Sequence, residues 1–172
     1  MEKKLKENGF KIGRLTLIFN GAGLVLYWDD TRLTKGEGFA SLFNFRDKLL
    51  QKSSCQCWNF ERLNDNELLL TRRQDEIGLD ETWRLKIIDE KQIDWVIEVN
   101  FKNEIEFNAV KAMLMFSTRY HTWIDNWGEG RFYPITDYSN VELRNPSTDF
   151  IGLRGRKKLM GQLPTVLLEL SG

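Results

Sequence analysis

Between Arg119 and Tyr133 the chain gathers the side chains best suited to hold or transform a polar ligand. Tyr120, Trp123 and Trp127 offer flat aromatic faces, and Arg119, His121, Asp125, Asn126, Glu129 and Arg131 interleave hydrogen-bonding groups with them. A sugar presents apolar C–H faces bordered by hydroxyls, so aromatic platforms flanked by bidentate polar groups match it. The segment therefore reads as a ligand site. Trp123, Trp127 and Tyr120 are its stacking surfaces, and Arg119, His121, Glu129 and Arg131 its polar contacts. The competing reading is an aromatic-rich loop that covers one end of a β-sandwich, since tryptophan also anchors cores.

Catalytic readings are weaker. His121 is the only histidine, which excludes a site using two, and no serine sits in a nucleophile-elbow pattern. Asp29, Asp30, Asp125, Glu129 and Asp137 fall in expected turns or loops. A pair such as Asp125 and Glu129 would suit acid–base work on a glycosidic bond, but that chemistry depends on carboxylate separation. Adjacent Asp29-Asp30 is the ordinary composition of a turn. Cys55 and Cys57, spaced C-x-C, do not match the usual C-x₂₋₄-C of a zinc site, so no metal is expected and both thiols are assigned to a core face. Gly21-Ala22-Gly23 lacks the third glycine of a dinucleotide fingerprint, and nothing matches a P-loop, so no cofactor is expected. Arg154-Gly155-Arg156-Lys157-Lys158 is a basic cluster with the chemistry to grip phosphates, acidic glycans or RNA; a solvated loop between closing strands is the simpler reading.

The elements that must position these groups are strands. From Glu81 to Phe116, Trp83, Leu85 and Ile87 alternate with polar residues. After Asp89-Glu90-Lys91, a second run puts Ile93, Trp95, Ile97, Val99 and Phe101 on one face, and after Lys102-Asn103-Glu104 a third begins with Ile105, Phe107 and Ala109. Period-two alternation broken by short polar turns predicts a three-stranded antiparallel meander. Upstream, residues 1–11 read as a polar lead-in. Ile12 to Phe19 and Leu24 to Trp28 read as a hairpin around Asn20-Gly21, and Lys35-Gly36-Glu37-Gly38 as a flexible loop before the apolar run Phe39 to Phe45. Arg46 to Ser54 reads as a short helix or loop, and Cys55 to Phe60 and Glu67 to Arg72 as strands. Arg119 to Pro134 reads as a strand end plus long loop, Thr136 to Asp149 as irregular, and Phe150 to Leu153 and Thr165 to Leu170 as closing strands. No window sustains a 3.6-residue period, so little helix is expected.

The order of Gly21 to Trp28, ending Leu-Tyr-Trp, then Arg32-Leu33-Thr34 with its glycine-rich loop, the Trp83 and Trp95 meander, and Met115 to Trp123 resembles the galactose mutarotase-like supersandwich domains of carbohydrate-active proteins. The resemblance implies a concave sheet that accommodates saccharides. It does not imply epimerisation, because those enzymes use a histidine and a carboxylate with a further histidine at the sugar, and one histidine is too few. It points instead to a non-catalytic binding or accessory module. Thr136-Asp137-Tyr138 spells one lipocalin motif, but the partner Gly-x-Trp near the N-terminus is missing.

Bulk properties agree with an ordinary globular chain. At 172 residues, 41% hydrophobic and 29% charged, it suits one domain with a real core. Its 25 basic and 25 acidic residues cancel, which argues against nucleic acid and anionic membrane as partners. The N-terminus lacks an apolar leader and no run reaches membrane-spanning length, so the expected compartment is the cytoplasm. The expectation is an all-β, two-layer antiparallel sandwich over residues 1–172, with Leu17, Leu24, Leu26, Trp83, Leu85, Trp95, Ile97, Val99 and Phe107 in its core. Its expected function is saccharide or glycoconjugate recognition. The rivals are a saccharide-processing enzyme and an assembly module that binds a protein partner through an aromatic face or sheet edge.

Overall fold

A short turn at Gly13, whose φ of 56° is easily adopted only without a side chain, folds β1 (Gly9–Ile12) back on β2 (Leu15–Phe19). The chain thus enters the fold earlier than its polar start suggests, and Phe10 is buried. The computed structural model describes residues 8–19, 23–45, 49–53, 58–75, 78–104, 106–132, 149–155 and 163–169. Among them only Asn8 and Asp75 have helical geometry, so the protein is all-β. Among the described residues no helix is long and apolar enough to cross a membrane. The Cα trace groups into two compact units, residues 1–115 and 116–172.

In the first unit β2 pairs with β3 (Leu24–Trp28), from Phe19↔Leu24 to Leu15↔Trp28. Residues 20–22 of the expected hairpin turn lie outside the described residues. Leu15, Thr16, Leu17 and Ile18 are all buried, so β2 is covered on both faces. Asp29 and Asp30 make the turn into β4 (Thr31–Arg32). Arg14 donates to Asp29 Oδ2 through Nε at 2.9 Å and Nη2 at 2.5 Å, and its guanidinium lies 4.7 Å over the Trp28 ring. The hydrogen bond from Arg14 holds the Asp29 carboxyl below the usual carboxylate range.

β5 (Thr34–Phe45) absorbs Lys35-Gly36-Glu37-Gly38, which the glycines had marked as a loop. Gly38, at φ 76°, is required by proximity as well as conformation: a Cβ there would collide with the Leu24 carbonyl oxygen of β3. β6 (Leu49–Ser53) pairs with β5 from Asn44↔Leu49 to Ala40↔Ser53, so this part of the expected helix or loop is a return strand. Residues 46–48 and 54–57, including Cys55 and Cys57, lie outside the described residues.

β7 (Asn59–Asn64), β8 (Glu67–Gln74), β9 (Leu79–Ile87) and β10 (Ile93–Phe101) form a four-stranded antiparallel sheet in the order β10-β9-β8-β7. Registers Leu70↔Trp83 and Leu85↔Trp95 place Leu68, Leu70, Trp83, Leu85, Ile87, Trp95 and Ile97 on one face. The third strand of the expected meander exists as β11 (Phe107–Phe116), but it does not join β10. It belongs to a separate sheet ordered β11-β5-β6. Alternation reports that a segment is extended and two-faced, not which strand it hydrogen-bonds to.

Ring contacts define the layers of this unit. Phe39 of β5 meets Trp95 edge-on at 4.9 Å, Phe43 meets Phe101 at 6.4 Å, and Phe19 of β2 stacks on Phe60 of β7 at 5.3 Å. The sheets containing β2 and β5 thus both cover the apolar face of the β7–β10 sheet, giving a two-layer sandwich. Leu17, Leu24, Leu26, Trp83 and Leu85 are buried as expected. Trp95, Ile97 and Val99 are half-buried because β10 is the edge strand. The Phe107 side chain lies outside the described set.

Among its described residues the second unit forms one antiparallel sheet of β12 (Tyr120–Asp125), β13 (Gly128–Arg131), β14 (Phe150–Gly155) and β15 (Val166–Glu169), ordered β13-β12-β14-β15. The aromatic segment expected to be a strand end plus loop is therefore a tight hairpin, while the two closing strands are found as expected. Residues 133–148 and 156–162, which include Asp137, the Thr136-Asp137-Tyr138 tripeptide, Asn145-Pro146 and the basic Arg156-Lys157-Lys158, lie outside the described residues.

Candidate functional site

Asp125 makes the hairpin possible. Its Oδ1 accepts hydrogen bonds from the backbone N–H groups of Trp127 at 2.8 Å and Gly128 at 3.0 Å, closing an Asx turn across Asn126-Trp127. Trp127 is thereby held at the tip, 67% exposed. Trp123 has a different fate. It sits opposite Gly130 in register, and a Cβ on Gly130 would collide with its indole, so the half-buried ring lies across the β13 backbone. The two tryptophans paired by sequence as platforms are one exposed and one packed within the sheet.

Register gathers a polar cluster on the other face. Thr122 is directly opposite Arg131 on β13 and Arg154 on β14, and Glu129 lies two residues from Arg131 on the same strand. Glu129 Oε2 accepts from Arg154 Nη2 at 2.5 Å. Thr122, Glu129, Gly130, Arg131 and Arg154 line a hollow of about 220 Å³. Sequence reasoning named Glu129 and Arg131 but missed Thr122 and placed Arg154 in a solvated basic loop. No local signal announces that β12 takes β14 as its second neighbour, which is what delivers Arg154.

The remaining nominated residues stand apart from the hollow's lining. Arg119 is exposed in the turn before β12, its Nε 3.4 Å from Ser117 Oγ. His121 is half-buried, with Nδ1 3.2 Å from Thr122 Oγ1. Tyr120 is 4% exposed and donates its hydroxyl to the Pro164 carbonyl at 3.1 Å, so it serves the interior of this unit. Burial pushes the Tyr120 phenol up to about 12 from its ordinary 10.0. The folded state thus keeps a proton that the unfolded chain gives up first. This contribution to stability is whole below pH 10.0 and drains away as pH rises toward about 12. Denaturant midpoints measured across that interval should fall more steeply in the wild type than in Tyr120→Phe. Parallel curves would refute the assignment.

A second polar cluster lies in the first unit and was not foreseen. Arg72 and Glu81, opposite each other on β8 and β9, form an ion pair with side chains 1% and 0% exposed. Trp83 Nε1 donates to Glu81 Oε1 at 2.6 Å. The Arg72 guanidinium lies 4.7 Å over the Trp58 ring, which is 4.5 Å from Trp83. A hollow of about 240 Å³ opens beside the pair, lined also by Thr71, Arg73, Asp80 and Thr82. Its lining charges are paired in opposite signs, Arg72 with Glu81 and Arg73 with Asp80 at 3.8 Å. A sequence signal did exist, because Arg72 and Glu81 fall in phase with the apolar positions Leu68, Leu70, Trp83 and Leu85.

Among the described residues no group of three or more His, Cys, Asp or Glu side chains is placed to hold a metal. Comparison of the chain with protein-family models, with curated proteins and with solved structures gives no match.

Proposed function

We propose that this protein recognises saccharides without altering them, through the β12–β13 hairpin. The observation that carries this reading is Trp127, a large aromatic side chain 67% exposed at the tip of a turn fixed by two hydrogen bonds to Asp125. Exposing an indole forfeits the benefit of burying it, and a pre-ordered aromatic surface costs little entropy when a sugar ring stacks on it. The polar complement comes from the same hairpin, where Glu129 and Arg131 border the hollow. Binding is favoured over turnover by the state of the two carboxylates best placed for acid–base work. Asp125 is engaged in the turn and Glu129 in an ion pair with Arg154.

The test is a glycan-array screen of the folded protein, with hits followed by calorimetric titration. Wild type should bind saturably, and Trp127→Ala should weaken the hit about tenfold or more, as expected for a central aromatic contact, while its unfolding midpoint stays put. A blank array from folded protein, or equal binding by Trp127→Ala, would sink the proposal.

A further inference from the structure

The hollow lined by Thr122, Glu129, Gly130, Arg131 and Arg154 carries more positive than negative charge. Two guanidinium groups, Arg131 and Arg154, flank Thr122 on the strands either side of it, and one carboxylate, Glu129, lines the same hollow. That carboxylate is committed to Nη2 of Arg154, and among the described residues no carboxylate is ion-paired to Arg131. An arginine has five donors in a planar fork that fits a carboxylate bidentately. The ion pair also orients Arg154 while leaving it further donors. At about 220 Å³ the hollow is smaller than the roughly 300–1,000 Å³ of sites for drug-sized ligands, so it suits one sugar ring with its substituents.

We propose that this hollow selects acidic saccharides: it takes a uronic-acid residue whose carboxylate is held by Arg131, with Arg154 and Thr122 binding adjacent oxygens and Glu129 accepting from a hydroxyl. The inference rests on the saccharide reading above and names the ligand class of that site. Neutral sugars would leave Arg131 without its anionic partner, and the difference is the origin of the selectivity.

The experiment titrates the whole protein with short oligomers of galacturonate, glucuronate and mannuronate, each beside its methyl ester, which keeps the sugar scaffold and removes the charge. At least one acid should bind about tenfold or more tightly than its ester, since hydrogen bonds to charged groups are worth that factor. The preference should shrink as salt rises. Arg131→Gln, a change at an exposed strand position, should bring acid and ester together while Trp127→Ala weakens both. Thermal unfolding confirms that each variant is folded. Equal binding of every acid and ester overturns the acidic selectivity and leaves saccharide recognition standing. Failure of all acids and esters overturns the inference, and a positive or blank neutral-glycan array then decides whether saccharide recognition stands or falls with it. Complete displacement of the acid by inorganic sulfate or phosphate, with affinity unchanged in Trp127→Ala, also overturns the inference, because the hollow would then be an ion site without a sugar.

Discussion

Glu81→Gln is expected to destabilise the protein by about 3–5 kcal/mol, the range for breaking one side of a buried ion pair. The substitution nearly preserves shape but leaves the Arg72 guanidinium, buried with a 1% exposed side chain, without its counter-charge. The pair itself need not be a net source of stability, because removing two charges from water is costly and their attraction offsets that cost only in good geometry. The geometry here includes a second hydrogen bond to Glu81, from Trp83 Nε1, and an aromatic face against Arg72 supplied by Trp58. Replacing both partners, as in Arg72→Met with Glu81→Leu, should therefore recover most of what Glu81→Gln loses. Urea midpoints of the single and double variants decide the matter. A double variant no more stable than the single would show that the charges themselves, rather than their unpaired state, set the stability of this region.

Trp83→Ala should cost a similar amount, about 3–5 kcal/mol, because it opens a cavity in addition to the lost transfer energy. Trp83 is fully buried at the middle of a ring chain that runs from Trp58 through Trp83 and Trp95 to Phe39. Its neighbours in the sheet, Leu70 and Ile97, are register partners on strands with fixed backbones and cannot collapse into the space. Trp83→Phe separates the two contributions. It retains most of the hydrophobic contact but removes the donor to Glu81, so its cost should be smaller, about 1–3 kcal/mol for an acceptor left short of a partner. Because Trp83 and Glu81 touch, the double variant Trp83→Phe with Glu81→Gln should cost less than the sum of its parts. Strict additivity, or a Trp83→Ala effect below about 1 kcal/mol, would contradict a packed aromatic centre.

The two clusters also show how differently sites are encoded. Trp127, Glu129 and Arg131 were nominated by residue type alone, and they lie together on one short hairpin because sequence neighbours four positions apart cannot be far apart in space. Arg154 comes from a strand whose pairing with β12 begins at Asp125↔Ile151, a contact no local pattern encodes. Tyr120 and Trp123 carry the same aromatic chemistry as Trp127, yet one is buried against Pro164 and the other lies over Gly130. Aromatic type says that a side chain prefers not to face water. Which of several aromatics is left facing it is decided by register and by the turn.

By itself the sequence determined the strands: alternation of apolar and polar residues is a local property of an extended backbone, so β3, β9, β10, β14 and β15 were legible near their observed positions. It also determined which face of β9 is buried, from Trp83, Leu85 and Ile87. Only the tertiary structure decided that β11 leaves β10 for the sheet of β5, that the glycine-rich Lys35–Gly38 stretch is strand held close to β3, and that Arg72 meets Glu81 inside the sandwich. The reason is that a two-residue period specifies a face and not a neighbour. Strand partnership is settled by the long-range closure of loops and by the mutual burial of faces, where a glycine or a charge is judged by what lies across from it.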